Sequence, residues 1–156
     1  MRYGVTGNFL VDPGWEEWQF EELWDFVKTH HFEKAGYTIL TPLPGTDLFQ
    51  KLAPVLKGQP WFKYDMHHLL YEPRLGAKRF FELYAETWRR SILNTAGEKS
   101  WLDWMRQVRP SQIPYLTRVL ARTQRMMKAR AYFEEHTASL AAAPLLELPR
   151  EAQQAS

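Results

Sequence analysis

The chain has 156 residues, a formal net charge of +2, 45% hydrophobic and 15% aromatic residues, and no cysteine. This size and composition suit one packed domain or part of a larger one, and without thiols these residues cannot form a disulfide, a thiolate zinc site or a cysteine-ligated iron–sulfur cluster. No apolar run reaches the roughly 18 residues of a membrane span, and the opening MRYGVTGNFLVD is too polar for a signal peptide, so the expected location is cytoplasmic.

Residues 3–11 read as a strand, with Phe9, Leu10 and Val11 buried and Gly4 and Gly7 allowing close backbone approach. Asp12-Pro13-Gly14 turns the chain, and a helix is predicted over 15–29. Glu16 and Glu17 fall in its first turn, where the helix dipole favours acids. Phe20, Leu23, Trp24 and Val27 make the stripe of a helix that covers a sheet, and His30 and His31 close it as capping and surface residues. Tyr37, Thr38, Ile39 and Leu40 read as a second, buried strand. The stretch Thr41-Pro42-Leu43-Pro44-Gly45-Thr46 stops it, because neither proline can donate to a ladder. Thr46 or Asp47 then caps a helix over 46–56 that carries Leu48, Phe49, Leu52 and Val55. Residues 3–47 therefore predict one right-handed, parallel β-α-β unit.

Lys57-Gly58-Gln59-Pro60 breaks the pattern, and 66–71 (MHHLLY) reads as a short third strand ended by Glu72-Pro73. A strong helix is predicted over 75–93, with Phe80, Tyr84, Trp88 and Ile92 on one face and Glu86 and Arg90 as an i,i+4 pair on the wet side. A C-cap follows at 94–97. From 98 onward the pattern is helical: a short helix carries Trp101, Leu102, Trp104 and Met105, and a long one runs from Pro110 to about 136, with Ile113, Leu116, Leu120 and Met127 inward. Residues 104–133 hold seven basic side chains and no acid. Residues 138–156 are expected to fray as a disordered tail. Parallel strands are normally covered on both faces and flanked at both edges. Three such strands with two covering helices leave an apolar edge bare, so the economical reading is the back end of a longer α/β sheet or barrel.

Asp12 and Thr41 stand at the carboxyl ends of the two parallel strands and would face the same end of the sheet. They read either as hydrogen-bond partners for a polar ligand or as turn and cap residues. His67 and His68, adjacent in a predicted strand, would point to opposite faces and could not chelate one metal together. One of them facing the mouth of the sheet could contact a ligand; the other reading is a hydrogen-bonded structural histidine. Arg118, Arg122 and Arg125 share a helix face that reads as a phosphate contact, an anionic lipid contact or a solvated surface. A self-standing α/β module that binds an anionic partner, nucleic acid or lipid, through this helix is thus one alternative. No Ser-His-Asp order, P-loop, GxGxxG or HExxH occurs, so these residues alone name no reaction.

The succession GNFLVDPGW, TILTPLPGTDLFQKL and WFKYDMHHLLYEPRLGAKRFFELYAETWRRSILN resembles the C-terminal part of radical S-adenosylmethionine enzymes that carry an N-terminal cobalamin-binding domain. Among these it looks most like the hopanoid methylases, the C-3 methylases in particular. The resemblance covers about residues 3–135, and the LTPLPGT loop followed by YD-x-HH is its specific part. It implies an α/β fold in which 1–73 are the last βα units of a partial (β/α)6 radical-SAM barrel, with 66–71 as a closing β segment, and 74–137 are an all-helical extension. It further implies cofactor-binding positions at Asn8, Asp12, Thr41 and Pro42, and a substrate pocket near His67 and His68, walled by Trp88, Trp101 and Trp104. For the full-length enzyme it implies S-adenosylmethionine, a 4Fe-4S cluster and cobalamin, with a small-molecule or lipid substrate. The implied partners are the N-terminal barrel and cobalamin domain, together with peripheral membrane contact rather than nucleic acid. Asp12 replaces a glycine common in relatives, and the CxxxCxxC cluster loop is absent here. The isolated chain is therefore expected not to cleave S-adenosylmethionine.

Overall fold

Two parallel strands and the helix that joins them form the centre of the fold. They are seen in a computed structural model that describes residues 5–30, 32, 34–56, 58–94 and 109–146. Strand β1 (Thr6–Val11) leads through α1 (Glu17–Thr29) to β2 (Lys34–Ile39), and β1 pairs with β2 in parallel from Thr6↔Lys34 to Val11↔Ile39. The β-α-β reading of the sequence is met here. Partners across a parallel pair share a face, so Gly7, Phe9, Val11, Ala35, Tyr37 and Ile39 point one way. That face is covered. Phe20, Leu23 and Val27 of α1 and Phe80, Phe81, Leu83 and Tyr84 of α3 (Ala77–Asn94) pack on Val11, Tyr37 and Ile39. Polar ties hold the layers in place: Tyr84 Oη donates to the Tyr37 carbonyl at 2.9 Å, and Trp24 Nε1 donates to Thr87 Oγ1 at 2.9 Å. The opposite face is open, with Asn8 exposed; Leu10, expected to be buried with its neighbours, is 55% exposed because strand alternation turns it away from the face that Phe9 and Val11 share.

Beyond β2, the 41–46 loop ends at α2 (Asp47–Leu56), and Thr46 is the cap: its Oγ1 accepts the Phe49 amide at 3.2 Å. Gly45 holds φ +91° in the turn before it, a conformation that suits glycine. A 3₁₀ turn at Trp61–Lys63 follows.

The third strand predicted over 66–71 does not form. Asp65 captures the amides of His67 and His68 through Oδ1 at 2.9 and 3.1 Å, and Met66 sits at φ 64°, so the donors a ladder needs point elsewhere. What remains of strand character is one bond from the Ile39 amide to the Met66 carbonyl, at 2.8 Å, and an isolated parallel bridge from Tyr71 to Leu146. The described residues thus make a mostly helical α/β unit around a two-stranded sheet, and they do not by themselves outline a partial barrel.

The long C-terminal helix predicted from Pro110 is two helices, α4 (Ile113–Met126) and α5 (Ala129–Ala142), after a 3₁₀ turn at Pro110–Gln112. Neither glycine nor proline causes the break; Lys128 is extended, at φ −109° and ψ 107°. The new direction lays Tyr132 on Phe81, with ring centroids 5.9 Å apart and planes within 5°, and brings His136 against the same ring. Tertiary burial overrides local continuity. Residues 138–146, expected to fray, continue α5 and then dock: Lys63 Nζ donates to the Ala143 carbonyl at 2.5 Å, Gln59 Nε2 to that of Pro144 at 3.0 Å, and the Leu146 amide to that of Leu70 at 3.0 Å. The short helix with Trp101 and Trp104, and residues 147–156, lie outside the described residues. Among the described residues no helix is long and apolar enough to cross a membrane.

Candidate functional site

The strand ends form a closed corner. The Leu40 amide donates to the Val11 carbonyl at 2.9 Å, which sets Asp12 beside Thr41 and Pro42. All three are buried. Asp12 makes a turn, its Oδ1 accepting the Gly14 amide at 2.7 Å and its carbonyl the Trp15 amide at 3.1 Å. Burial pushes the Asp12 carboxyl above its ordinary value, and the Gly14 hydrogen bond offsets part of that rise. The phenol of buried Tyr71 is likewise raised, first by burial and then by the charge of Asp12. Thr41 Oγ1 donates to the Ile39 carbonyl at 3.1 Å. The corner therefore spends much of its polarity on its own backbone.

Asn8 stands apart, four residues back along β1, or about 13 Å at 3.3 Å per residue. It lies on the open face across from Gly36, where a Cβ would come within 2.7 Å of Asn8 Oδ1. A side chain at position 36 would displace that carboxamide. Of the four strand positions carried over from the resemblance, Asn8 is the one whose polar group lies on the open face.

His67 and His68 belong to a different place, a cleft of about 230 Å³ between the 65–69 segment, α3 and α5. Neither Asp12 nor Thr41 lines it. Both histidines border this one cleft rather than opposite faces, because the left-handed Met66 breaks the alternation of a strand. His68 Nδ1 meets both oxygens of Asp65 at 3.0 Å and its ring stands edge-on to Phe62 at 5.7 Å. The opposite wall holds Tyr132 and His136, one turn apart on α5, with the exposed ion pair Arg125–Glu135 at 3.3 Å on the rim. Burial, and then the charge of Lys63, lower His136 below the ordinary histidine value, and His68 adds to this only when its own ring is protonated. Asp65, Tyr132 and His136 are residues that sequence reading passes over. D-x-x-H, and tyrosine and histidine four apart on a helix, were the signals available. Trp88, expected to wall a substrate pocket, packs edge-on against Tyr37 at 5.2 Å instead. No group of three or more histidine, aspartate or glutamate side chains among the described residues could hold a metal ion.

With that geometry in place, the chain is similar over part of its length to known methyltransferases. Two of them are enzymes of Chlorobaculum tepidum. The bacteriochlorophyllide d C-12(1)-methyltransferase is 29% identical over 111 residues, which is 67% of this chain and 24% of the relative. The bacteriochlorophyllide d C-8(2)-methyltransferase is 32% identical over 101 residues, 58% of this chain and 22% of the relative. The chain thus spans about a quarter of the length of the curated relatives it matches. By name these relatives act on a bacteriochlorophyllide, not on the hopanoid that the motif resemblance implied. No family model matches the chain, and no solved structure matches it.

Proposed function

We propose that this chain forms the last βα units and the helical extension of a radical S-adenosylmethionine methyltransferase whose N-terminal barrel and cobalamin domain lie in other residues. The observation that supports the reading most is the open face of the β1–β2 pair. Parallel strands are covered on both faces in folds that bind ligands at their strand ends, and here Asn8 and Leu10 face outward uncovered. In a barrel that face looks into the lumen. Similarity to two methyltransferases, over 67% and 58% of this chain, supports the reaction class.

The acceptor is a large, apolar, fused-ring molecule. The relatives support a tetrapyrrole of the bacteriochlorophyllide kind and the motif resemblance a hopanoid, and both belong to this class. Toward S-adenosylmethionine the open face offers the carboxamide of Asn8, while Asp12 and Thr41 at the strand ends bond their own backbone and supply the shape of the rim. The strand ends do not fit the cluster, since no thiolate exists in these residues to ligate iron. No step is assigned to that group in this chain.

The test has two arms. The reading frame upstream of residue 1 in the native transcript should encode CxxxCxxC and a cobalamin module; a stop codon and an unrelated gene there would overturn the reading. The complete protein, reduced and supplied with labelled S-adenosylmethionine, should transfer a methyl group to bacteriochlorophyllide d or to a hopanoid. The 156-residue chain, reconstituted with iron and sulfide, should release no 5′-deoxyadenosine. Release from that chain alone would refute the division of labour.

A further inference from the structure

The cleft beside His68 carries hydrogen-bonding capacity that the chain leaves unused. Burial pushes the Asp65 carboxyl up, but hydrogen bonds from His68 Nδ1 and from the His67 and His68 amides outweigh it, and the group lies below its ordinary value. An ionised carboxylate only accepts. His68 Nδ1, 3.0 Å from both Asp65 oxygens, therefore carries a proton, and in the neutral ring Nε2 is a bare acceptor. Across the cleft His136 is 4% exposed, and its Nδ1 is buried with no hydrogen-bond partner. Native folds seldom leave a buried nitrogen unpaired, and those that do call for an explanation. The walls between the two imidazoles are apolar, built from Leu69 and the stacked rings of Phe81 and Tyr132. Met66 adds a second sign of a built site, since a non-glycine residue at φ 64° costs energy that the surrounding contacts must supply.

We infer that this cleft binds a small, largely apolar molecule bearing one hydroxyl-type hydrogen-bond donor, which His68 Nε2 accepts while the apolar body lies on Phe81 and Tyr132. At about 230 Å³ the cleft holds a single ring with a short substituent, or the edge of a larger ring system. Asp65 is a positioning residue: it fixes the tautomer that makes Nε2 an acceptor. The inference stands on the cleft and does not rest on the methyl-transfer reading.

Two probes of one shape test it: p-cresol, which carries the donor, and p-xylene, which does not. Each is titrated into the full 156-residue chain labelled with nitrogen-15, with the imidazole nitrogens followed by two-bond correlation spectra. The free chain should show His68 as the Nδ1–H tautomer, and p-cresol should move its Nε2 resonance. Replacing His68 by Phe (His68→Phe) keeps the ring against Phe62 and removes the acceptor. It should lower the preference for p-cresol over p-xylene about three- to tenfold, the share of one neutral hydrogen bond. Asp65→Asn places an amide donor against Nδ1, moves the proton to Nε2 and should lower the same preference, with p-xylene binding retained. Absence of binding by both probes, a preference unchanged by both variants, or a His68 Nε2–H tautomer in the free chain would each overturn the inference.

Discussion

Leu10 offers the sharpest test of whether the open sheet face is a lumen. Its side chain is 55% exposed, on the same face as Asn8, while its strand neighbours Phe9 and Val11 face the core. In the 156-residue chain, Leu10→Lys exchanges one half-exposed side chain for another, and surface changes of that kind stay within about 0.5 kcal/mol. In the longer protein proposed above, the same position would be covered. Full burial of a leucine contributes about 1.5–3 kcal/mol, and a buried, unpaired lysine adds a desolvation cost. The difference between the two contexts should therefore exceed about 2 kcal/mol. A long, multidomain protein does not unfold in two states, so a local probe is needed. The Leu40 amide, bonded to the Val11 carbonyl at 2.9 Å, reports opening of this strand pair through native-state hydrogen exchange. Leu10→Lys should leave its exchange rate nearly unchanged in the short chain and raise it more than tenfold in the long one. An equal, small effect in both would show that nothing covers the face, and the barrel reading would fall.

Thr87→Val keeps the shape of a fully buried residue and removes the acceptor of the Trp24 indole, 2.9 Å away, so it should cost about 1–2 kcal/mol in urea unfolding. Thr87 Oγ1 also donates to the Leu83 carbonyl at 2.9 Å, so the loss should shrink rather than vanish in a Trp24→Phe background; an undiminished loss there would mean the indole bond is not its source. Lys63 is fully buried, with the Ala143 carbonyl as its partner and no carboxylate in ion-pair range among the described residues, and burial lowers its ammonium below the ordinary lysine value. Its folded form sheds its proton before the unfolded one does, so stability should rise as pH climbs toward the ordinary lysine range; Lys63→Met should abolish that rise and be neutral or stabilising by about 1–3 kcal/mol at pH 7. Asp12 has the opposite charge and a raised carboxyl, so its native form holds its proton to higher pH than the unfolded chain does. Its ionisation therefore costs stability as pH rises from about 3.8 through the folded value, and Asp12→Asn, which keeps an oxygen for the Gly14 amide, should match wild type below about pH 3.8 and be the more stable of the two at pH 7. Equal thermal midpoints across that pH range would contradict a buried, costly carboxylate at the strand end.

The β-α-β unit was legible because its signals are local and agree with one another. Phe9 and Val11 belong to an apolar run at the end of the first strand, Phe20, Leu23 and Val27 repeat at helical spacing, and the prolines at 42 and 44 cannot extend a ladder; that Leu10 would face away from the core was not read from that run. Residues 66–71 misled for a physical reason. Apolar and aromatic residues there suit a strand, but a side chain one residue upstream claims the two amides that would have bonded to a neighbour. Such competition by an aspartate is a recognised route out of a ladder, yet DMHH does not announce it. The break at Lys128 was illegible as well, since α4 and α5 join without a helix breaker and the reward for bending, Tyr132 and His136 on Phe81, comes from an element some fifty residues away. His68 was visible as a candidate. Its partner Asp65 was passed over although the D-x-x-H spacing carries that local pair, and the facing His136 was not visible because its role exists only once α5 has folded back.

The two candidate regions divide the work differently from the single pocket that the sequence invited. At the corner, Asp12 and Thr41 direct hydrogen bonds to the backbone of their own turn and strand, so what they contribute is the shape and closure of a strand end. On the open face Asn8 is exposed, and a Cβ at Gly36 beside it would come within 2.7 Å of the carboxamide oxygen, so a side chain there would push Asn8 aside. In the cleft the balance is reversed: two imidazoles face apolar walls, one oriented by a carboxylate and one with a buried nitrogen unpaired. A site whose polar atoms are already satisfied supports its neighbours, and a site whose polar atoms are held ready but unsatisfied selects a ligand. By that criterion Asp12 and Thr41 shape the strand ends, and the His68–His136 cleft is the one of the two regions whose polar atoms remain without partners.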